Sequence, residues 1–223
     1  MRVLATVLLC SISACSRYES EIPVGFVQRR VIFNQDKYHP FPHCAIKLLV
    51  PTEYDTLLTW IDRSDNTASD IAKYLFTSSR GCLIQESGFF KKDDGFCQDT
   101  LDRLTIVPQQ DYGSGLWTVK ELNEMARKTD ERDSTICKIK SLWREKKIEK
   151  INGLQFVIIS RRGPGQLFCE PYEQLSARTN FLQNGNRWHF VFVFECKNGE
   201  SRNFKNRAYT VLQSVQIDTL VNN

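Results

Sequence analysis

The stretch WHFVFVF, residues 188–194, decides the fold, because it has the pattern of a strand with two apolar faces. Successive side chains of a β-strand point to opposite faces. One face would carry Trp188, Phe190, Phe192 and Phe194, and the other His189, Val191 and Val193. A strand that is apolar on both faces is typical of the middle of a sheet covered on each side. We therefore expect residues 188–194 to form a central strand.

Two Asn-Gly pairs predict β-hairpins around this strand. Asn184-Gly185 precedes it, and Asn152-Gly153 separates residues 146–151 from residues 154–159. Asn and Gly tolerate the positive φ angles that a two-residue type I′ turn requires. The last third of the chain is therefore predicted to be an antiparallel meander. Further short strands are expected at 31–33, 44–50, 57–61, 83–84, 104–107 and 214–217.

Three helices are predicted beside these strands. Thr67 would cap the first, Thr118 and Glu121 form a capping box for the second, and Ser201 begins the third. The second helix is expected to end at residues 130–134, DERDS. The apolar face of the first would consist of Ala68, Ile71, Ala72 and Leu75. This order of elements predicts an α+β fold, in which helices flank an antiparallel β-sheet.

The N-terminal residues have the pattern of a bacterial export signal. Arg2 precedes an apolar run, Val3–Ile12, that is about half of the roughly 20 residues needed to span a bilayer. Ile12-Ser13-Ala14-Cys15 then resembles the lipobox of bacterial lipoproteins. That resemblance implies that cleavage removes residues 1–14 and that Cys15 carries the palmitate-type acyl chains. An ordinary secretory signal and a buried N-terminal element are the alternatives.

The resemblance also sets the domain boundaries and the location. Residues 1–14 would be the signal peptide, 15–29 the lipidated N terminus and tether, and 30–223 a single α+β domain. In Gram-negative lipoproteins an aspartate after the lipidated cysteine retains the protein at the inner membrane, and Ser16 stands there instead. The resemblance therefore implies a periplasmic protein anchored by lipid in the inner leaflet of the outer membrane.

Of the eight cysteines, Cys10 would be removed with the signal peptide and Cys15 would carry the lipid. The other six predict a domain held together by disulfides. An even number of cysteines in an exported chain favours disulfides, and the bacterial periplasm is oxidising. No CxxC motif is present, which disfavours a zinc ribbon or a thioredoxin-like site. Six reduced, buried thiols are the alternative, and the pairing is left open. The candidates are Cys44, Cys82, Cys97, Cys137, Cys169 and Cys196.

No sequence motif predicts catalysis, a cofactor or a metal site. His39 and His43 have helical ligand spacing, but Pro40 and Pro42 disfavour that helix. No GxSxG motif is present, and residues 161–165, RRGPG, lack the Lys-Ser/Thr ending of a phosphate loop. The net charge of +4, from 30 basic and 26 acidic residues, is too small to favour nucleic acid. We therefore expect a protein that is not an enzyme.

Residues 119–217 resemble the PsbP-like fold. The similarity rests on a helix followed by a meander and on the turn Ile151-Asn152-Gly153-Leu154. It also rests on a late helix that ends in a Ser-x-x-hydrophobic pattern, Ala208 to Ile217. The strand–proline unit Ile46–Pro51 agrees with it, whereas the cysteine-rich residues 82–137 depart from it. The resemblance implies an antiparallel sheet with flanking helices and a role in binding or scaffolding.

The organisation of the chain is similar to that of lipoprotein immunity proteins, which protect against periplasm-delivered toxins such as type VI secretion effectors. That similarity implies a protein partner, a toxin, whose site is occluded by a loop or strand edge. The candidate contacts are Phe89, Phe90, Lys91, Lys92, Arg161 and Arg162. The alternatives are an assembly lipoprotein that binds a component of an envelope or secretion complex, and a hydrolase with an unrecognised site.

Overall fold

The structure, a computed structural model, describes residues 22–33, 44–62, 71–78, 103–110, 118–138, 140–164, 171–183, 186–197 and 203–219. The strands of these residues are β1 (Phe26–Phe33), β2 (Cys44–Pro51), β3 (Thr56–Asp62), β4 (Ile71–Thr77), β5 (Arg103–Gln110), β6 (Leu142–Ile151), β7 (Leu154–Pro164), β8 (Pro171–Gln183), β9 (Asn186–Lys197) and β10 (Gln216–Thr219). The helices are α1 (Val119–Ile136) and α2 (Phe204–Ser214).

A seven-stranded antiparallel sheet contains the predicted central strand. Its order is β3-β4-β5-β9-β8-β7-β6, so that β9 pairs with β5 on one side and with β8 on the other. Phe190 and Phe192 are completely buried on one face of β9, while Val191 and Val193 are buried on the other. The prediction of a central strand with two covered faces is therefore confirmed.

A second, three-stranded sheet and α2 cover the aromatic face of β9. The order of this sheet is β1-β2-β10, and α2 packs against β2. One continuous core joins Phe33 and Ile46 of the small sheet to Phe190 of the large sheet and Leu212 of α2. The predicted α+β architecture with antiparallel strands is confirmed. The division of the strands into two sheets differs from the prediction of a single sheet flanked by helices.

The Asn152-Gly153 turn joins β6 to β7 as predicted. The φ angles of Asn152 and Gly153 are 49° and 80°, and Ile151 pairs directly with Leu154. Both central residues have the positive φ that a type I′ turn requires. The side-chain amide of Asn152 also donates a hydrogen bond to the carbonyl oxygen of Gln213, which ties the hairpin to α2.

Helix α1 begins as predicted but does not end as predicted. The Thr118 backbone N–H donates to Glu121 Oε2 at 2.7 Å, and the Glu121 N–H donates to Thr118 Oγ1 at 3.3 Å. These two bonds form the predicted capping box. The bonds that the Thr118 N–H and hydroxyl donate to the Glu121 carboxylate lower the pKa of that carboxyl. The expected break at residues 130–134 is wrong, because the helix continues to Ile136. Asp133, within that stretch, is buried and bonded to the large sheet.

The helix predicted to include Ile71 and Leu75 is wrong. These residues belong to β4, which pairs with β3 and β5. Leu75 and Phe76, although adjacent, are both buried, because the two faces of the sheet are covered at this point. A short apolar run does not distinguish a buried strand from a helix by its periodicity. The predicted cap at Thr67 lies outside the described residues.

The fold begins earlier than the predicted tether boundary. Strand β1 starts at Phe26, so residues 26–29 of the predicted tether belong to the small sheet. A turn leads into it, in which the Phe26 N–H donates to the Pro23 carbonyl at 3.1 Å and Gly25 has a φ of 84°. The Thr52 N–H donates to the Gly25 carbonyl at 2.9 Å. In the part of the chain that is described, no helix is long and apolar enough to cross a membrane.

Candidate partner-binding end of the large sheet

A row of five neighbouring side chains crosses one end of the large sheet. The strand registers place one residue from each of five successive strands side by side, on the face opposite the aromatic core. We call these residues the polar row: Arg103 on β5, Glu195 on β9, Gln174 on β8, Arg161 on β7 and Trp143 on β6.

Glu195 is the buried carboxylate of the polar row. Its side chain is only 1% exposed. Arg103 Nε donates to one carboxylate oxygen at 2.5 Å, and Gln174 Nε2 donates to the other at 2.6 Å. A buried charge is tolerated when it is both paired and hydrogen-bonded. These three residues therefore cross-link β5, β9 and β8.

Arg161 links the polar row to helix α1. Its guanidinium donates to the carboxylate of Asp133 and, at 2.5 Å, to Ser141 Oγ. Ser141 Oγ in turn donates to Asp133 Oδ2 at 2.9 Å. All three residues are buried, and we call them the polar anchor. The anchor fixes the C-terminal part of α1 to β7 and to the residue that precedes β6.

Trp143 adds a second attachment for α1. The indole Nε1–H donates to Asp130 Oδ2 at 2.8 Å, one helical turn before Asp133. The Arg161 guanidinium lies 5.7 Å from the centre of the Trp143 ring, and the Lys146 ammonium lies 5.8 Å from it. Cations at such distances are attracted to the indole face. The end of the polar row is therefore closed by the helix.

The prediction that Arg161 contacts a partner from an exposed basic turn is wrong. Arg161 is 6% exposed and lies in strand β7. Gly163 leaves space for its side chain, because a Cβ at this position would lie 2.5 Å from Arg161 Nη1 and 2.6 Å from Ser141 Oγ. Arg162, which points to the opposite face of the strand, is exposed and stays a candidate contact.

The other predicted contacts are joined to the same end of the sheet. Phe89, Phe90, Lys91 and Lys92 lie outside the described residues, between the end of β4 at Thr77 and the start of β5 at Arg103. These two strands are antiparallel neighbours, and Arg103 belongs to the polar row. Arg162 also lies at this end, because it follows Arg161. The topology therefore connects both candidate contact segments to one end of the sheet.

The structure corrects the prediction that six cysteines form disulfides. Cys44 and Cys196 are buried as thiols and not as disulfides, since they occupy core positions on β2 and β9 as small apolar side chains. Burial raises the pKa of the Cys44 thiol to about 12. Cys137, the C-cap residue of α1, is disulfide-bonded. Predictions for the remaining residues, Cys82, Cys97 and Cys169, and the lipidation prediction for Cys15, lie outside the described residues.

A groove of about 710 Å³ follows α1 from its N-cap, Thr118, to Arg132. Glu124 on this groove is ion-paired with Arg127 and Lys128. The described residues contain no group of three or more His, Cys, Asp or Glu side chains that could hold a metal ion, and His39 and His43 lie outside them. The groove is lined by Thr118, Lys120, Glu121, Glu124, Met125, Lys128, Thr129 and Arg132.

Comparison with known proteins finds distant similarity to solved structures. No protein family and no curated protein matches the chain. The crystal structure of LpqN, a protein involved in cell envelope biogenesis of Mycobacterium tuberculosis, is similar with a TM-score of 0.45 and 7% identity, over 86% of this chain and 91% of that one. The solution structure of PsbP (CyanoP) from Synechocystis sp. PCC 6803 is similar with a TM-score of 0.45 and 8% identity, over 88% and 95% of the two chains.

Proposed function

We propose that this chain is a lipid-anchored envelope protein that binds another protein, as an immunity protein that occludes a periplasm-delivered toxin. The observation that carries the proposal is the connection of both candidate contact segments to one end of the large sheet. The polar row makes that end rigid, because Glu195 and Arg161 cross-link neighbouring strands and α1. A rigid end of the sheet suits occlusion, which requires a surface that changes little on binding.

The described charged groups at this end support binding rather than catalysis. Arg103 is committed to Glu195, and Arg161 is committed to Asp133. A general acid or base must lie within hydrogen-bond reach of a proton on the substrate. Glu195 and Asp133 instead accept hydrogen bonds from Arg103 and Arg161 inside the protein. Arg162 is exposed and is available to an acidic surface of a partner.

The short spacing between the lipobox and the first turn of the fold supports the proposed lipid anchor. Seven residues, 16–22, separate Cys15 from the turn that starts at Pro23. Acylation of Cys15 would therefore place the small sheet close to the membrane. A Cys15→Ala variant should accumulate as uncleaved precursor and lose labelling by radioactive palmitate. Normal processing of that variant would exclude the lipoprotein assignment.

The location follows from the residue after the cysteine. We infer the inner leaflet of the outer membrane, since Ser16 is not an aspartate. Fractionation of host membranes should recover the protein with the outer membrane, and Ser16→Asp should move it to the inner membrane. Equal distribution of both variants would contradict this location.

The partner is tested by co-purification of the tagged, full-length protein from its host. We expect a secreted toxin to co-purify, and we expect deletion of the gene to make cells sensitive to siblings that deliver it. Arg162→Glu should weaken recovery of the toxin, whereas Lys150→Glu, an exposed charge reversal at the opposite end of β6, should not. Recovery of an envelope or secretion component in place of a toxin would favour the assembly role.

A further inference from the structure

Strand β1 forms one edge of the small sheet. It pairs with β2 along its whole length, and no described strand pairs with its other side. Val31 and Phe33 point into the core, whereas Arg30 and Ile32 alternate with them and point away from it. An exposed edge of eight residues is a surface that a protein must protect or use.

The exposed residues of this edge combine two arginines with three apolar side chains. Arg29 and Arg30 are both exposed and point to opposite faces of β1, so they flank its free edge from the two sides. Neither forms an ion pair with any residue in the described ranges. Ile22, Val24 and Ile32 are 50%, 102% and 44% exposed. We call these five residues the basic edge. Their mixture of cations and exposed aliphatic side chains is the composition that favours a membrane interface.

The basic edge is held close to the predicted anchor. The Phe26 N–H bonds to Pro23, and the Gly25 carbonyl accepts from Thr52, so the chain is fixed to the sheet from Pro23 onward. Seven residues remain between Cys15 and Pro23. Even fully extended, seven residues span at most about 25 Å. A lipid on Cys15 therefore confines Pro23, three residues before the start of β1, to roughly that distance from the bilayer.

We propose that the basic edge lies against the membrane and binds anionic phospholipid headgroups. This inference rests on the proposed lipid anchor. The guanidinium groups of Arg29 and Arg30 would bind lipid phosphates, for which their planar donors are suited. Ile22, Val24 and Ile32 would enter the boundary between headgroups and acyl chains. The contact would fix the orientation of the domain relative to the bilayer.

A second copy of the chain is a poorer occupant of this edge. Antiparallel pairing of two β1 strands about the middle of the strand would place the arginines of one copy opposite those of the other. Like charges directly opposite each other destabilise a strand pair. Anionic lipid, which is present in excess wherever the anchor lies, supplies the complementary charge.

Hydroxyl-radical footprinting of the lipidated protein in vesicles tests the proposal. Vesicles of phosphatidylethanolamine with phosphatidylglycerol are compared with vesicles of phosphatidylcholine alone. We expect side-chain oxidation of Ile22, Val24 and Ile32 to be lower on the anionic vesicles. Val119 and Ile136 of α1, which are 64% and 68% exposed, serve as internal controls and should be oxidised equally on both.

Charge-removing variants separate the basic edge from general electrostatics. Each basic residue at an anionic surface contributes about fivefold to binding, so R29Q/R30Q should lower the ratio of docked to undocked protein about 25-fold. K120Q/K150Q removes the same charge from exposed positions on α1 and β6 and should leave the footprint unchanged. A circular dichroism spectrum of the same shape as that of the unmodified protein would show that both variants are folded.

The outcomes distinguish failure of this inference from failure of the proposed function. Intact mass first establishes whether Cys15 carries acyl chains. If it does, equal oxidation on both kinds of vesicle overturns the membrane contact and leaves the anchor standing. If Cys15 is not acylated, the proposed lipid anchor fails, and co-sedimentation of the mature chain with the same vesicles tests the membrane contact separately. Failure to sediment with the anionic vesicles would then overturn the membrane contact as well. Protection of Ile32 in whole envelopes but not in protein-free vesicles would show that the edge binds a protein, and would also overturn the inference.

Discussion

The carboxylate of Asp133 and the guanidinium of Arg161 meet beneath α1, although 28 positions separate them in the chain. Their side chains are only 3% and 8% exposed. Asp133 lies in a helix with few apolar contacts, since Leu122 and Ala126 are its other buried residues. The ion pair is therefore a main contribution to the attachment of α1 to the large sheet.

We predict that Asp133→Ala destabilises the fold by about 3–5 kcal/mol, because it leaves the Arg161 guanidinium buried without a counter-charge. Urea unfolding followed by circular dichroism measures the change. The double variant Asp133→Leu/Arg161→Met should recover most of the loss, since apolar replacement of a whole buried ion pair is often neutral.

The control for this prediction is Glu131→Ala, which removes an exposed ion pair with Arg127 on the same helix. Exposed pairs contribute little to stability, so no measurable change is expected. Equal effects of the Asp133 and Glu131 substitutions would show that the polar anchor is not what holds α1.

Local patterns predicted the parts of the fold that depend on neighbouring residues. The turn at Asn152-Gly153 follows from the φ angles that these two residue types tolerate, and the capping box follows from Thr118 and Glu121, three positions apart. The central strand follows from phenylalanines that alternate with valines and make both of its faces apolar.

Long-range contacts explain the parts that the sequence did not predict. The DERDS stretch has the composition of a solvated break, but Asp133 bonds to Arg161 and Ser141, and Asp130 bonds to Trp143, so long-range contacts hold it as helix against the sheet. Likewise, the spacing of Ile71 and Leu75 agrees with a helix, and pairing with β5 decides for a strand. Arg161 appeared to be a surface charge because its partner lies in a different element.

We predict that Gly163→Ala destabilises the protein by disturbing Arg161. The added methyl would lie 2.5 Å from Arg161 Nη1, and such overpacking costs about 1–3 kcal/mol. Gly153→Ala is the matched comparison, because its added methyl meets nothing within 4 Å and its cost comes only from the φ of 80°, about 1–2 kcal/mol.

The two glycine substitutions respond differently to removal of the polar anchor. In the Asp133→Leu/Arg161→Met background, the penalty of Gly163→Ala should fall, because the contact with Arg161 is gone while that with Ser141 Oγ remains. The penalty of Gly153→Ala should be unchanged. Thermal unfolding of the six proteins gives both coupling values. A Gly163 penalty that is the same in both backgrounds would contradict the role assigned to Gly163.

We predict that stability declines as the pH rises through the alkaline range because of Cys44. Burial raises the pKa of its thiol from 9.0 to about 12, so the folded protein retains a proton that the unfolded chain releases. Stability from this group is therefore complete below about pH 9 and is lost as the pH rises towards 12. Urea unfolding between about pH 8 and pH 11 measures the slope.

Cys44→Ala should flatten this slope, although below about pH 9 it lowers stability by leaving a small cavity. The pKa of Tyr74 is also raised, by burial and then by Cys44, so Tyr74→Phe isolates its share. Cys44 should also resist alkylation by iodoacetamide until the protein unfolds. Rapid alkylation in the native state would show that the thiol is accessible.

The two oxygens of Glu195 allow a prediction about the polar row. One accepts from Arg103 and the other from Gln174. Glu195→Gln keeps the shape but supplies only one acceptor oxygen, so one of these donors loses its partner and Arg103 loses its counter-charge. We expect a loss of about 1.5–3 kcal/mol in unfolding free energy.

An exchange of the two residues should restore part of the loss. In Glu195→Gln/Gln174→Glu, the amide oxygen on β9 can accept from Arg103 while its NH₂ group donates to the carboxylate on β8, so each buried donor again faces an acceptor. Gln174→Glu alone places two carboxylates side by side and should be the least stable of the three. A double variant no better than the sum of the single variants would show that the row is not coupled through Glu195.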